Sequence, residues 1–208
     1  MLGVKGDVRN RADIQGALDL GLAEFGRLDV VLANAGILAF GQRPYAQSEQ
    51  AFRDSLDVML TGTWNTLQLV APILIDQGRG GAIVITCSSV TRQSITTNYD
   101  GGFDGYHAAK YAQVGLMTGY AGKLAEHNIR VNTFHPSGVA TPMIMNETFP
   151  RWIEENPDYG VANALPVDWM QPPEASEVIL FLVSDSGRFV TGQEIFVDAG
   201  QTMLLPST

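Results

Sequence analysis

Short apolar runs alternate with longer segments of helical spacing along almost the whole chain, and this alternation most narrows the folds open to it. Runs 2–8 ("LGVKGDV"), 28–36 ("LDVVLANAG"), 81–87 ("GAIVITC"), 129–135 ("IRVNTFH") and 194–200 ("EIFVDAG") read as strands. Between them, residues 11–25, 48–77, 106–126 and 172–185 carry apolar side chains at three- and four-residue intervals. Gly26 is placed to end the first helix, Ser48 to cap the second, and the prolines at 172 and 173 to open the last. Pro72 should bend the second helix near its end. The polar stretch 90–105, rich in Gly, Asn and Asp, reads as a loop. Nearly continuous apolar strands joined by helices imply a parallel sheet covered on both faces. With no repeat, linker or low-complexity tract, residues 1–208 are expected to form a single domain.

In such sheets ligands collect beyond the carboxyl ends of the strands. The turns expected there are "ANAG" (33–36), "SSV" (88–90) and "HPSGVATPM" (135–143), all rich in small or hydroxylated residues. Between the second and third of these lies "YHAAK" (106–110). Its Tyr106 and Lys110 fall on one helix face, one turn apart. A phenol is a poor base at neutral pH, with a reference pKa near ~10. A nearby cation stabilises the phenolate and lowers that value. His107 lies about 100° further round the helix and is expected to face elsewhere.

A net charge of −9 and a pI near 4.7 argue against a nucleic-acid partner. Cys87, the only cysteine, sits in an apolar run, so it reads as a buried thiol in a reducing cytoplasm. The amino-terminal residues do not resemble a signal peptide, and the apolar runs look too short to cross a bilayer, so no membrane partner is expected. No group of His, Cys, Asp or Glu shows metal-ligand spacing.

Taken in order, "GDV" (6–8), "ANAG", "TCSS" (86–89), "YHAAK", "NIRVN" (128–132), "HPSGVATPM" and "VTGQEIFVDAG" (190–200) resemble the short-chain dehydrogenases/reductases. The wording of residues 115–132 and 164–185 is similar to the subgroup of carveol dehydrogenases and mycofactocin-coupled alcohol dehydrogenases. The resemblance implies a Rossmann-like doubly wound α/β fold and an NAD-linked enzyme interconverting a secondary alcohol and a ketone. It makes Tyr106 the acid/base, Lys110 its cation and a ribose ligand, and Ser89 the donor to the substrate oxygen. It assigns Asp7 and Val8 to the adenine, Asn34, Ala35 and Gly36 to the adenosine ribose, and Pro136, Val139 and Thr141 to the nicotinamide. A homodimer or homotetramer is implied as well. Met143, Ile144 and Met145 suggest an apolar substrate, a terpenoid among the candidates, or plain packing.

Two departures from the family pattern stand out. Met59 occupies the place of an asparagine that helps to relay protons from the lysine, and a thioether donates nothing. The family's opening strand, Gly-rich turn and helix, which bind the pyrophosphate, are absent, so residues 2–8 match the family's third strand. The residue that would choose NAD over NADP belongs to that missing part, which leaves NADP open. These departures keep a second reading alive: a catalytically silent paralogue acting through oligomer contacts, or an incomplete gene product. They also leave residues 2–8 without their family neighbour, so these residues should either pair with 28–34 or stay outside the sheet.

Overall fold

The computed structural model describes residues 1–39, 48–93, 101–155 and 163–203. Among them, four strands form one parallel sheet in the order β1-β2-β3-β4: β1 (Val30–Ala33), β2 (Gly81–Thr86), β3 (Ile129–Pro136) and β4 (Glu194–Val197). The pairing runs in register, with Val31 opposite Ile83 and Ile83 opposite Val131. This is the parallel sheet expected from the strand–helix alternation, in the Rossmann-like arrangement that the family resemblance implies.

The period-two alternation of the strands decides which helix covers which face. Ile83, Ile85, Ile129 and Val131 point to one side, where they pack with Leu67, Val70, Leu74, Met117 and Leu124. Those partners belong to α3 (Gly62–Gln77) and α4 (Gly101–Leu124), and Leu18 of α1 (Arg11–Phe25) joins them from the rim. Val84 and Phe134 point the other way, toward Ala175 and Leu182 of α6 (Pro172–Val183), which follows the short α5 (Thr148–Glu155).

The expected caps are present. Gly26 closes α1 in the left-handed region at φ 73°, and the Ser48 side chain accepts from the Ala51 amide at the start of α2 (Glu49–Ser55). The Gln171 side chain and Glu174 form a capping box ahead of the prolines of α6.

Residues 2–8 do not form a strand, correcting the strand reading and agreeing with the second of the two outcomes anticipated for them. Instead Val8 packs on α3, where a Cβ at Gly62 would come within 2.5 Å of Val8 Cγ2. The Asn65 amide donates to the Val8 and Arg9 carbonyls at 3.2 and 3.4 Å. Side chain and backbone of this segment are thus engaged by a helix rather than by the sheet. β1 accordingly pairs only with β2 among the described residues, and Val30 and Leu32 are exposed along it.

The helix expected over 48–77 is three pieces: α2, a π-helical turn at Leu56–Thr61, and α3. The irregularity therefore precedes Pro72, which lies inside α3. At 29 residues, Glu49–Gln77 is also long and apolar enough to cross a membrane by length and composition, contrary to the sequence reading. Its apolar side chains Leu67, Val70 and Leu74 are committed to the sheet.

Helix α4 begins at Gly101, five residues before the expected start. Gly105 makes this possible, since any Cβ there would meet the Phe52 carbonyl oxygen at 2.7 Å. Glycine lets the backbones of α2 and α4 touch, and Phe103 is buried beside that crossing. Residues 94–100 of the expected loop lie outside the described residues.

Candidate active site

The carboxyl ends of β1, β2 and β3 open into a cavity of about 400 Å³. Asn34 and Gly36 enter it after β1, Ser88 and Ser89 after β2, and Pro136, Val139 and Thr141 at and after the end of β3. Tyr106 and Lys110 reach it from α4. Eight of the sequence-selected positions therefore meet in one place: Asn34, Gly36, Ser89, Tyr106, Lys110, Pro136, Val139 and Thr141.

Asp7, Val8 and Ala35 do not line this cavity. Asp7 receives the Arg9 guanidinium at 2.6 Å, which holds its carboxyl below the usual range. His107 is also outside it, with Nδ1 3.0 Å from the Phe103 carbonyl.

Lys110 is buried, and its ammonium donates to the Thr86 carbonyl at 2.7 Å. Burial pulls its pKa down to about 8. Near pH 7 most of the ammonium thus keeps its charge. Burial pushes the Tyr106 phenol up to about 12, against a hydrogen bond with Ser88 that favours the phenolate. This reverses the direction expected from the Tyr–Lys spacing. The reason is geometric: Nζ sits 5.5 Å from the Tyr106 ring centroid and is turned to a carbonyl, while protein atoms crowd the half-buried phenol.

Two further polar groups escaped the sequence reading. Ser88, which the sequence did not single out, lies within hydrogen-bonding reach of the Tyr106 phenol. Ser89 Oγ is 3.3 Å from Gln201 Oε1, to which it donates. Which serine of "TCSS" approaches the phenol depends on the twist of the turn, which the sequence does not show. Gln201 lies just past the carboxyl end of the last strand, which was the available signal. Its turn is unusual: Ala199 adopts φ 50° and Gly200 φ 77°. The Asp198 carboxylate holds the turn by accepting from the Gly200 and Thr202 amides, both at 3.0 Å.

The opposite wall is apolar. Leu38, Phe103, Ile144, Phe149 and Trp169 pack together there, with Phe149 edge-on to Trp169 at 5.7 Å between centroids. The loop after β3 is pinned beside this wall, where the Ala140 amide donates to the Met170 carbonyl at 2.9 Å. Gly138 lies against the Trp169 indole, which a Cβ would meet at 3.3 Å.

Met59 sits in the π-helical turn, fully buried. Its carbonyl accepts from Thr63 Oγ1 at 2.6 Å and Gln113 Nε2 at 2.9 Å. Its side chain lies against Gly36. Asn65, bound to the Val8 and Arg9 carbonyls, does not replace the missing asparagine.

A family profile described as enoyl-(acyl carrier protein) reductase matches residues 1–202. The chain is 46% identical over 199 residues to an uncharacterized oxidoreductase of Mycobacterium tuberculosis, covering 94% of this chain and 71% of that protein. It is 38% identical over 210 residues to (−)-trans-carveol dehydrogenase of Rhodococcus erythropolis, covering 96% of this chain and 74% of the relative. This chain is a short-chain dehydrogenase/reductase. The crystal structure of a carveol dehydrogenase from Mycobacterium avium in complex with NAD superposes with a TM-score of 0.85 at 35% identity, over 96% of this chain and 74% of that one. In this short-chain dehydrogenase/reductase, Tyr106, Lys110 and a serine pair converge at one sheet edge.

Proposed function

We propose that the protein is an NAD-linked dehydrogenase that interconverts a secondary alcohol and a ketone on an apolar small molecule of terpenoid size. The observation that carries this reading is the two-sided cavity. Tyr106, Lys110 and the two serines form one wall, and Leu38, Phe103, Ile144, Phe149 and Trp169 form the other. An apolar substrate with one oxygen would bury its hydrocarbon against the aromatic wall and direct that oxygen to the hydroxyls. Similarity to the carveol dehydrogenases supports the same substrate class and favours an enzyme over a silent paralogue.

The residues fit the nicotinamide and ribose end of the cofactor. Gly36 and Gly138 carry no side chains to fill the cavity, and Asn34, Lys110 and Thr141 line it with polar atoms. Val8, fixed to α3 through Gly62 and Asn65, and Asp7, whose amide donates to Asp13 of α1, are assigned to the adenine end, and Ala35, beside Asn34, to the adenosine ribose. When bound, the nicotinamide takes up or returns the hydride. Tyr106 moves the proton at the substrate oxygen. Its high pKa keeps it protonated at neutral pH, ready to protonate a ketone oxygen. Lys110 supplies positive charge beside the phenolate during alcohol oxidation, and Ser89 donates to the substrate oxygen as charge develops there.

The same reading places the enzyme in the cytoplasm as a homodimer or homotetramer of one-domain subunits. The exposed Leu180, Phe181 and Phe189 around α6 offer apolar surface for such contacts. A panel of alcohols tests the substrate assignment. NAD-dependent kcat/KM should be highest for cyclic apolar secondary alcohols and fall at least tenfold for polyols. A preference for polyols or for acyl carrier protein thioesters would overturn it.

A further inference from the structure

Beneath the cavity, and not lining it, lies a fully buried imidazole whose nitrogens are both engaged. His135 stands one residue before the end of β3. Its Nδ1 is 2.9 Å from the Ser88 carbonyl and 2.8 Å from Thr91 Oγ1. Its Nε2 is 2.7 Å from Thr133 Oγ1. A carbonyl can only accept, so the neutral ring carries its proton on Nδ1 and accepts from Thr133 at Nε2. Phe196 stacks on the ring at 4.3 Å between centroids, which fixes its plane.

The backbone explains why a side chain is needed here. The Cys87 amide donates to the Phe134 carbonyl at 2.7 Å, the last rung joining β2 and β3. Pro136 has no N–H to continue that ladder. Beyond Cys87 the chain turns through Ser88, Ser89 and Thr91. His135 Nδ1 and Thr91 Oγ1, the latter at 3.0 Å, both donate to the Ser88 carbonyl and hold the turn against the sheet. From it, the Ser88 side chain engages Tyr106 and the Ser89 side chain engages Gln201.

We infer that His135 is a positioning residue for catalysis: its neutral imidazole sets the serine turn, so that Ser88 faces Tyr106 and Ser89 faces the substrate oxygen. The inference rests on the dehydrogenase reading above. A buried histidine serving stability alone would leave the turnover of the folded enzyme and its pH profile unchanged. A positioning histidine would not, because losing it leaves Ser88 held by Thr91 alone and loosens the contact of Ser88 with Tyr106.

The test compares His135→Phe, which keeps a stacking ring without nitrogens, with His135→Asn, whose amide nitrogen takes the place of Nδ1. Both are assayed in the native protein across pH, where the other charged groups facing the ring are Glu194 from β4, Lys110 from α4 and Arg92 from the serine turn. His135→Phe should lower kcat at least tenfold, leave KM for NAD within about twofold, and move the alkaline limb of alcohol oxidation upward. His135→Asn should recover most of kcat and return the limb. Wild-type kcat and pH limb in His135→Phe, or a His135→Asn as impaired as the Phe variant, would overturn the inference while leaving the enzyme assignment intact. An inactive wild-type protein would instead refute the dehydrogenase reading. If His135→Phe does not fold, Thr91→Val replaces it, and an unchanged limb there counts against the inference.

Discussion

Lys110 Nζ lies 5.5 Å from the centroid of the Tyr106 ring and donates to the Thr86 carbonyl at 2.7 Å, so the ammonium flanks the phenol instead of pairing with its oxygen. The proton-moving group and its cation are therefore neighbours held by different partners. Tyr106 is tied to Ser88, and Lys110 to the end of β2.

The first prediction is a pH dependence. Burial raises the Tyr106 pKa to about 12, so the base form needed for alcohol oxidation grows as pH rises, while the acid form needed for ketone reduction is complete at neutral pH. Initial rates should show oxidation climbing from pH 7 toward pH 8, where Lys110 still holds charge, with reduction level around pH 7. An oxidation rate flat over that interval would contradict the raised phenol.

The two serines should separate kinetically. Ser89→Ala removes the donor assigned to the substrate oxygen and should lower kcat about 10²-fold. Ser88→Ala removes the hydrogen bond to Tyr106 and should shift the oxidation limb to higher pH with a smaller loss at its plateau. Identical profiles for the two variants would show that the turn does not divide its labour this way.

Met59→Asn carries opposing expectations. Restoring the family's asparagine should raise kcat about tenfold, or roughly 1.4 kcal/mol of barrier. Met59 is fully buried, however, and a new amide there should cost about 1–3 kcal/mol where its polar atoms lack partners. Thermal melting and turnover measured on one sample decide both points. Unchanged kcat would remove Met59 from any relay position, and an unchanged melting temperature would contradict the buried cost.

His135 should make the fold sensitive to acid. Its pKa is pulled down to about 4, first by burial and further by the charges of Lys110 and Arg92. The Glu194 carboxylate, 3.7 Å from Nε2, acts in the other direction, but it is partly solvated and Nε2 already accepts from Thr133. Between pH 4 and 6.5 the unfolded chain binds more protons at this residue than the folded one does. The stabilisation is thus complete above pH 6.5 and lost as pH falls toward 4, by about 2–3 kcal/mol. Denaturant melts of wild type and His135→Phe should differ in slope over that window. Parallel curves would refute the assignment.

The sequence made the sheet legible because its strands are apolar and bounded by turns, and it made the helix caps legible because Gly26, Ser48 and the prolines of α6 act locally. Tyr106 and Lys110 were visible as a single helical turn. Three features depended on contacts distant in sequence. Val8 is removed from the strand reading by Gly62 and Asn65, more than fifty residues away. The early start of α4 depends on Gly105 meeting the backbone of Phe52. The direction of the Tyr106 pKa depends on burial, which a spacing of four residues does not reveal.

The central claim is that Tyr106 moves the proton in an NAD-linked alcohol oxidation. Its most direct test is single-turnover NADH formation from a cyclic secondary alcohol, comparing the native protein with Tyr106→Phe, which keeps the ring and deletes the hydroxyl. The account predicts hydride transfer in the native protein and a fall of about 10²-fold or more in the variant, with both folded and melting alike. A Tyr106→Phe protein that forms NADH at close to the native rate would contradict it.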